Sequence, residues 1–380
     1  MPCSTTVREV PDLVAVAQSG EAFVRMLRQL WDGGDAVLPV DPRLPPPAVD
    51  QLLDAMRPRR LITADGHLVE RRDSRPVESG DALVVATSGS TGAPKGVVHT
   101  HTSLEASARA VSEVLEVDPS TDRWLCCLPL AHVAGLAVVV RALVTGTPLE
   151  VHDGFDATRV ADAARSGATL TSLVPTALAR VDAAAFRRIV LGGSAPPAHV
   201  PPNCHVTYGL TETGGGVVYD GLPLGGVEVR VADGEILVRA PMLMRGYRDD
   251  TSSIDADGWL HTDDVGELDT DGRLHVHGRR GDLIVTGGEN VWPAAVERSL
   301  LRHPSVREVA VVGRRDAEWG QAVTAVVVPV APGEAPTLDQ LRSLVRAEMP
   351  AYCAPTRLEV VDALPRTLLG KVQRRALGAG

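Results

Sequence analysis

Aromatic residues are scarce in this 380-residue chain: Phe, Trp and Tyr together make up 3%. Proteins that hold single-stranded nucleic acid stack bases on aromatic side chains, so that class has little to build on. Basic charge is lacking too. Lys plus Arg is 38 against 48 for Asp plus Glu, a formal net charge of −10, which is the wrong sign for a nucleic-acid footprint. Cysteine is rare: Cys3, Cys126, Cys127, Cys204 and Cys353 form no C-x-x-C pair and accompany no His cluster at zinc spacing. A disulfide scaffold is thereby excluded, and a reduced, cytoplasmic compartment is the expectation. Long apolar runs are also missing. The longest, Ala134 to Val144, carries Arg141 and is too short to span a bilayer. The opening MPCSTTVREVPD has no charged-then-apolar leader pattern. No membrane insertion and no nucleic-acid partner are expected.

What is present is ordinary globular material, 44% hydrophobic and 23% charged, with length for two or three domains. Strand patterns at Asp81–Thr87, Trp124–Leu130, Thr169–Val174 and Arg188–Leu191 alternate with helical patterns at Glu21–Trp31, Thr102–Leu115, Ala157–Ser166 and Val174–Ala185. That alternation predicts an α/β fold of sheets layered with helices. From Gly225 the Asp233-Gly234 and Asp271-Gly272 turns predict hairpins and a small β-rich subdomain. After Gly278-Arg279-Arg280-Gly281 the pattern changes again. Pro293 sits early in a helix, strands are expected at Glu308–Val312 and Ala322–Val330, and a helix at Leu338–Met349. The expected organisation is a large N-terminal domain over 1–280 and a small α+β C-terminal domain over 281–380.

The most informative stretch is Thr87-Ser88-Gly89-Ser90-Thr91-Gly92-Ala93-Pro94-Lys95-Gly96. Glycines let the backbone turn tightly and present N–H groups to an anion. The hydroxyls and Lys95 add donors and charge, a mixture suited to polyphosphate. It is not a Walker loop: counted from Gly89, Pro94 stands where Gly is required and Gly96 where Ser or Thr is required. Nor is it the G-x-S-x-G elbow of hydrolases, and no convincing Ser-His-Asp or Cys-His set occurs elsewhere. A plain surface loop would also be rich in Gly, Ser and Thr, but it would have no use for the rigid, charged Pro94-Lys95-Gly96 exit. By itself the loop leaves a kinase or ATPase, or a non-catalytic nucleotide binder, as alternatives.

Five further segments narrow this. They are Gly192-Gly193-Ser194-Ala195-Pro196, Tyr208-Gly209-Leu210-Thr211-Glu212, Thr262-Asp263-Asp264, Gly278 to Asp282 with Gly287-Gly288-Glu289-Asn290, and Pro365 to Arg375. Together with the loop, in this order, they resemble the signature motifs of the adenylate-forming acyl-CoA synthetases, the AMP-binding superfamily. The resemblance implies a large N-terminal domain and a small mobile C-terminal lid. It also implies an ATP-dependent, Mg²⁺-assisted acid–thiol ligase that passes through an acyl-adenylate and takes coenzyme A as co-substrate. Thr87, Ser88, Gly89, Ser90, Thr91, Gly92 and Lys95 would wrap the phosphates. Gly192, Gly193 and Ser194 would line the adenine pocket, with Tyr208 and Gly209 against the base. Thr211 would hold the α-phosphate, and Glu212 with Thr87 the Mg²⁺. Asp264 and Arg279 would bind the ribose hydroxyls, Lys371 would bridge the attacking carboxylate and the α-phosphate, and Gly287 and Gly288 would border the pantetheine tunnel. Three departures stand out: Gly281 replaces the usual Asp or Lys of the hinge, Asp263 replaces a Gly, and Leu369 replaces a frequent Asn.

Two features bear on the acid. The chain is short for the family, the reduction lying before Thr87, and in this it resembles compact actinobacterial o-succinylbenzoate–CoA ligases of menaquinone biosynthesis. Those ligases also share L-P-x-x-H-V-x-G, here Leu128 to Gly135, followed by an Arg nine residues after the His. The resemblance makes His132 the gate of the acyl pocket and Arg141 the partner of the carboxylate that is not activated. A charge-assisted pair of that kind selects a dicarboxylic acid. A ligase for another aryl or short acid, or a stand-alone domain loading a carrier-protein thiol, is the alternative. The oligomeric state, a homodimer included, is left open.

Overall fold

The computed structural model describes residues 10–88, 94–197, 199–366 and 372–378. It divides into two compact units, Met1–Val229 with Val238–Leu260, and Arg230–Leu237 with His261–Gly380.

The first unit contains two seven-stranded sheets. One runs, edge to edge, Gly246–Tyr247, Pro94–Thr100, Asp81–Ser88, Ala36–Pro39, Leu13–Val16, Arg60–Ile62 and Leu68–Glu70. Its middle strands are parallel, and Leu13–Val16 and Ala36–Pro39 are buried along their whole length, so they read as continuous apolar runs with no alternation. The other runs Leu222–Pro223, Gly215–Tyr219, Cys204–Leu210, Arg188–Leu191, Leu170–Leu173, Trp124–Cys126 and Leu149–Val151. It is parallel from Leu149–Val151 to Cys204–Leu210 and antiparallel beyond.

The helices follow their sequence signals. Gly20–Asp32 turns Phe23, Leu27 and Leu30 inward, one apolar stripe at helical spacing. His101–Val114 begins at a capping box in which Thr100 Oγ1 accepts the Ser103 amide at 3.1 Å. Val133–Thr145 is buried from Gly135 to Ala142 and stops at Gly146 in the left-handed region. One segment differs from expectation. The helical pattern Val174–Ala185 breaks into Pro175–Leu178 and a 3₁₀ turn, Ala183–Ala185, because the Asp182 carboxylate accepts the Ala184 amide at 3.0 Å and starts a new turn. A Pro-rich stretch, Pro39 to Pro47, runs into a helix, Pro46–Met56, because Pro at the first helical positions costs no hydrogen bond.

In the second unit Val306–Asp316, Gly320–Pro329 and Arg357–Val360 form a three-stranded sheet. Val296 and Leu300 of the helix Pro293–Leu300, and Leu341 and Val345 of Leu338–Arg346, share one core with Val311, Val323 and Val327 of that sheet. Ile284–Thr286 and Glu289–Val291 make a separate hairpin. A four-stranded sheet consists of Glu228–Ala232, Glu235–Arg239, Leu260–Leu268 and Leu274–Arg279. The architecture is the expected α/β one, with helix-layered sheets, a β-rich section and a small α+β portion.

Candidate active site

The Gly/Ser/Thr loop joins two antiparallel strands. Asp81–Ser88 pairs with Pro94–Thr100 in the register Thr87↔Lys95 and Ser88↔Pro94. Thr87 Oγ1 donates to the Lys95 carbonyl at 3.4 Å, so Thr87 and Lys95 face each other at the mouth of the loop. Gly89, Ser90, Thr91 and Gly92 lie outside the described residues.

The adenine-side motifs leave two adjacent parallel strands, Arg188–Leu191 and Cys204–Leu210, in the manner of ligand sites at the carboxyl ends of α/β sheets. Gly192, Gly193 and Ser194 follow the first of these strands; Tyr208 and Gly209 lie in the last three residues of the second. A β-bulge falls between Tyr208 and Gly209. A side chain at Gly209 would place Cβ 2.0 Å from the Gly215 carbonyl oxygen, so close approach of two backbones requires glycine there. Thr211 and Glu212 then form a 3₁₀ turn, Thr211–Thr213, pinned by the Leu210 amide donating to Thr213 Oγ1 at 2.8 Å.

The structure adds a residue that the sequence reading missed. Tyr247 Oη donates to Glu212 Oε1 at 2.9 Å, and Lys95 Nζ lies 4.7 Å from the centre of the Tyr247 ring. One phenol thus connects the expected metal carboxylate to the expected phosphate lysine, with a cation–π contact on one side. The sheet holds it: Gly246–Tyr247 pairs with Pro94–Thr100, and Arg245 forks onto Asp81 with two contacts of 2.9 Å. The available signal was rarity, since only 4 Tyr occur in the chain. Among the described residues Glu212 Oε2 has no partner, and no group of three or more metal-ligating side chains occurs. A single carboxylate fits Mg²⁺, which takes few protein oxygens and completes its shell with phosphate and water.

His99 is a second omission. It is 1% exposed, and its Nε2–H donates to the Thr211 carbonyl at 2.7 Å. Burial pushes it down to about 4, against 6.5 when free. The unfolded chain therefore binds the extra proton between those values. The stability contributed by neutral His99 is complete above about 6.5 and is lost as pH falls toward about 4. Between pH 7.5 and pH 5.0 this amounts to about 2 kcal/mol. Urea unfolding of the wild type and of His99→Gln at both pH values checks it. The wild type is expected to lose about 2 kcal/mol more than the variant; equal losses would rule out a neutral buried ring.

Arg141 is 3% exposed. It belongs to the stripe Val133, Leu136, Ala137, Val140 and Arg141, which with His99 and Gly214 lines a small cavity. Its Nη1 donates to Ser172 Oγ at 3.4 Å, and its guanidinium lies 5.6 Å from the centre of the Trp124 ring. Among the described residues it has no carboxylate partner. His132 occupies the N-cap position of the same helix, Val133–Thr145, and its charge helps to hold the Asp41 carboxyl low, after the larger effect of Arg43. Burial raises Cys126 and Cys127 to about 12 and about 11, so neither is a thiolate nucleophile at neutral pH.

In the second unit Asp264 and Arg279 are direct cross-strand partners, with Arg279 Nε donating to Asp264 Oδ1 at 3.1 Å. Asp264 is buried because Leu260–Leu268 alternates and puts Leu260, Thr262, Asp264 and Gly266 inward. Asp263 explains one departure: its φ is 58°, a left-handed conformation that suits the family's Gly and that Asp tolerates better than most residues. Gly287 and Gly288, at φ 59° and 86°, turn the hairpin Ile284–Thr286/Glu289–Val291, and the Gly287 amide donates to the Trp319 carbonyl at 2.8 Å. Gly281 has open space where a side chain would project. Lys371 lies outside the described residues.

The AMP-binding enzyme family matches residues 70–248, and the AMP-binding enzyme C-terminal domain matches residues 295–371. The chain belongs to the AMP-binding enzyme family. It is 39% identical over 360 residues to a probable 2-succinylbenzoate–CoA ligase of Mycobacterium tuberculosis, covering 87% of this chain and 93% of that one. Its structure resembles o-succinylbenzoate CoA synthetase from Bacillus subtilis in complex with the acyl-adenylate intermediate, with TM-score 0.87 and 28% identity over 99% of this chain and 89% of that one. The same Bacillus enzyme in complex with ATP and magnesium ion gives TM-score 0.84 and 27% identity over 98% and 90%. No helix among the described residues is long and apolar enough to cross a membrane.

Proposed function

We infer that this chain is an ATP-dependent, AMP-forming acid–CoA ligase that converts o-succinylbenzoate to o-succinylbenzoyl-CoA in menaquinone biosynthesis, in the cytoplasm where ATP and CoA are supplied. The observation that carries the substrate is Arg141: a buried guanidinium with no carboxylate partner among the described residues, on the inward stripe of an apolar helix. Such a charge is costly to bury alone, and the distal carboxylate of a dicarboxylic acid would complete it. The relatives' names agree with that choice.

In the first half-reaction Thr87, Lys95 and the loop between them receive the phosphates. Tyr208 and the Gly192–Ser194 turn receive adenine, and Asp264 and Arg279 the ribose hydroxyls. Glu212, oriented by Tyr247, and Thr87 would hold Mg²⁺, which offsets phosphate charge as the reaction proceeds. Thr211 and Lys371 bring the activated carboxylate to the α-phosphate. A carboxylate oxygen forms the new bond to phosphorus, and the bond to pyrophosphate breaks. In the second half-reaction the CoA thiol gives its proton to solvent, its sulfur attacks the acyl carbonyl along the Gly287–Gly288 hairpin, and the bond from the carbonyl carbon to the phosphate oxygen breaks to release AMP. The chain turns between the two steps at Arg279–Asp282, where Gly281 imposes little steric restriction.

Pyrophosphate release with different acids tests the assignment. The kcat/KM for o-succinylbenzoate is expected to exceed that for benzoate by at least about tenfold, with turnover dependent on CoA. Parity between the two acids would remove the dicarboxylate assignment.

A further inference from the structure

The sheet that carries the adenine-side motifs also places a phenol beside Arg141. Leu125, Leu173 and Val206 pack into one apolar core on one face of that sheet. Their strand neighbours Trp124, Ser172 and Thr207 therefore point to the other face, the one from which Arg141 reaches Ser172 and Trp124. Tyr219 is the direct cross-strand partner of Thr207 and shares that face. Its ring lies beside His205, with centroids 6.4 Å apart, and His205 alternates onto the same face as Thr207.

Two adjacent glycines bring the guanidinium and the phenol together. A Cβ on Gly215 would stand 3.8 Å from Arg141 Nη2, and one on Gly216 would stand 3.1 Å from Tyr219 Cε2. The two side chains thus flank a bare stretch of backbone. Both are 3% exposed. Each leaves a polar atom without a hydrogen-bond partner among the described residues, Nε of Arg141 and Oη of Tyr219. A buried phenol ordinarily finds a partner, and leaving it without one is costly. Burial holds the phenol above its ordinary value, against the opposing pull of Arg141, so at neutral pH it remains protonated and able to donate. A carboxylate, which only accepts and has two oxygens to do so, would satisfy both groups at once.

We propose that Tyr219 is a specificity-determining residue, whose Oη donates to the same non-activated carboxylate of the acid that Arg141 holds. The proposal rests on the reading of Arg141 as the partner of that carboxylate. Arg141 comes from a helix and Tyr219 from a strand. Donors from two elements orient the planar group as well as neutralise it, which adds geometric selectivity to charge.

The test compares kcat and KM for o-succinylbenzoate and for benzoate in Tyr219→Phe, with Arg141→Met as reference. Tyr219→Phe is expected to raise the KM for o-succinylbenzoate at least about tenfold, as loss of one hydrogen bond to a charged group does. The kcat, and the KM for benzoate, should stay within about twofold. The lost hydroxyl has no protein partner, so the thermal midpoint of the empty variant should not fall. A phenol with a merely structural role would lower that midpoint and move both acids alike. If Tyr219→Phe does not fold, Gly216→Ala, which crowds the ring and leaves its oxygen in place, carries the same expectation for the two KM values. An unchanged KM for o-succinylbenzoate, or an equal rise with both acids, would overturn the proposal where Arg141→Met still raises the KM for the dicarboxylate alone. If Arg141→Met leaves that KM unchanged, the reading on which the proposal rests falls, and the proposal with it.

Discussion

Replacing Arg141 by methionine is expected to raise the KM for o-succinylbenzoate by roughly 10–200-fold, the equivalent of about 1.5–3 kcal/mol for a charge-assisted hydrogen-bonded contact. The distal carboxylate takes no part in bond making, so it is held equally in the ground state and the transition state, and kcat should change little. Benzoate lacks that carboxylate, so its KM should be unaffected and serves as the internal control. Methionine keeps much of the side-chain volume and removes a charge that is 3% exposed without a carboxylate partner among the described residues. The empty protein should therefore be no less stable than the wild type. An unchanged KM for the dicarboxylate in a folded variant would make Arg141 a structural residue.

Lys371→Ala has the other large expected effect. The first half-reaction brings a carboxylate against a polyphosphate, and a cation placed between them stabilises charge that develops in the transition state. Loss of one such donor costs about 10²–10³ in rate. Adenylate formation should fall by about that factor, while thioester formation from supplied acyl-adenylate should stay within a few-fold, because that step needs no cation at the α-phosphate. Equal loss of both steps would remove the proposed role. Single-turnover measurements of each half-reaction make the comparison.

Much of the fold is written in local patterns. Phe23, Leu27 and Leu30 repeat at helical spacing, Asp233-Gly234 marks a hairpin, and Pro293 marks a helix start. Where a side chain competed for the backbone, as Asp182 does at the Ala184 amide, the pattern over-extended the helix. The motif residues were legible because they lie in short contiguous runs; in the fold Thr87 and Lys95 share one register pair and Asp264 and Arg279 another. Tyr247 and His99 were not. Each acts through a partner far away in sequence: Glu212 lies 35 residues from Tyr247 and the Thr211 carbonyl 112 from His99. Only the folded sheet or core reveals such pairs. Asp263 shows the converse, a departure from the motif that becomes intelligible once its left-handed φ is known.

The nucleotide product decides the chemistry. With Mg²⁺, ATP, CoA and o-succinylbenzoate, separation of the nucleotides should show AMP rising in step with acyl-CoA and pyrophosphate, and no AMP when the acid is omitted. ADP with inorganic phosphate, or no AMP from any acid in a broad panel, would contradict cleavage at the α-phosphate and with it the assignment of every phosphate-side residue named above.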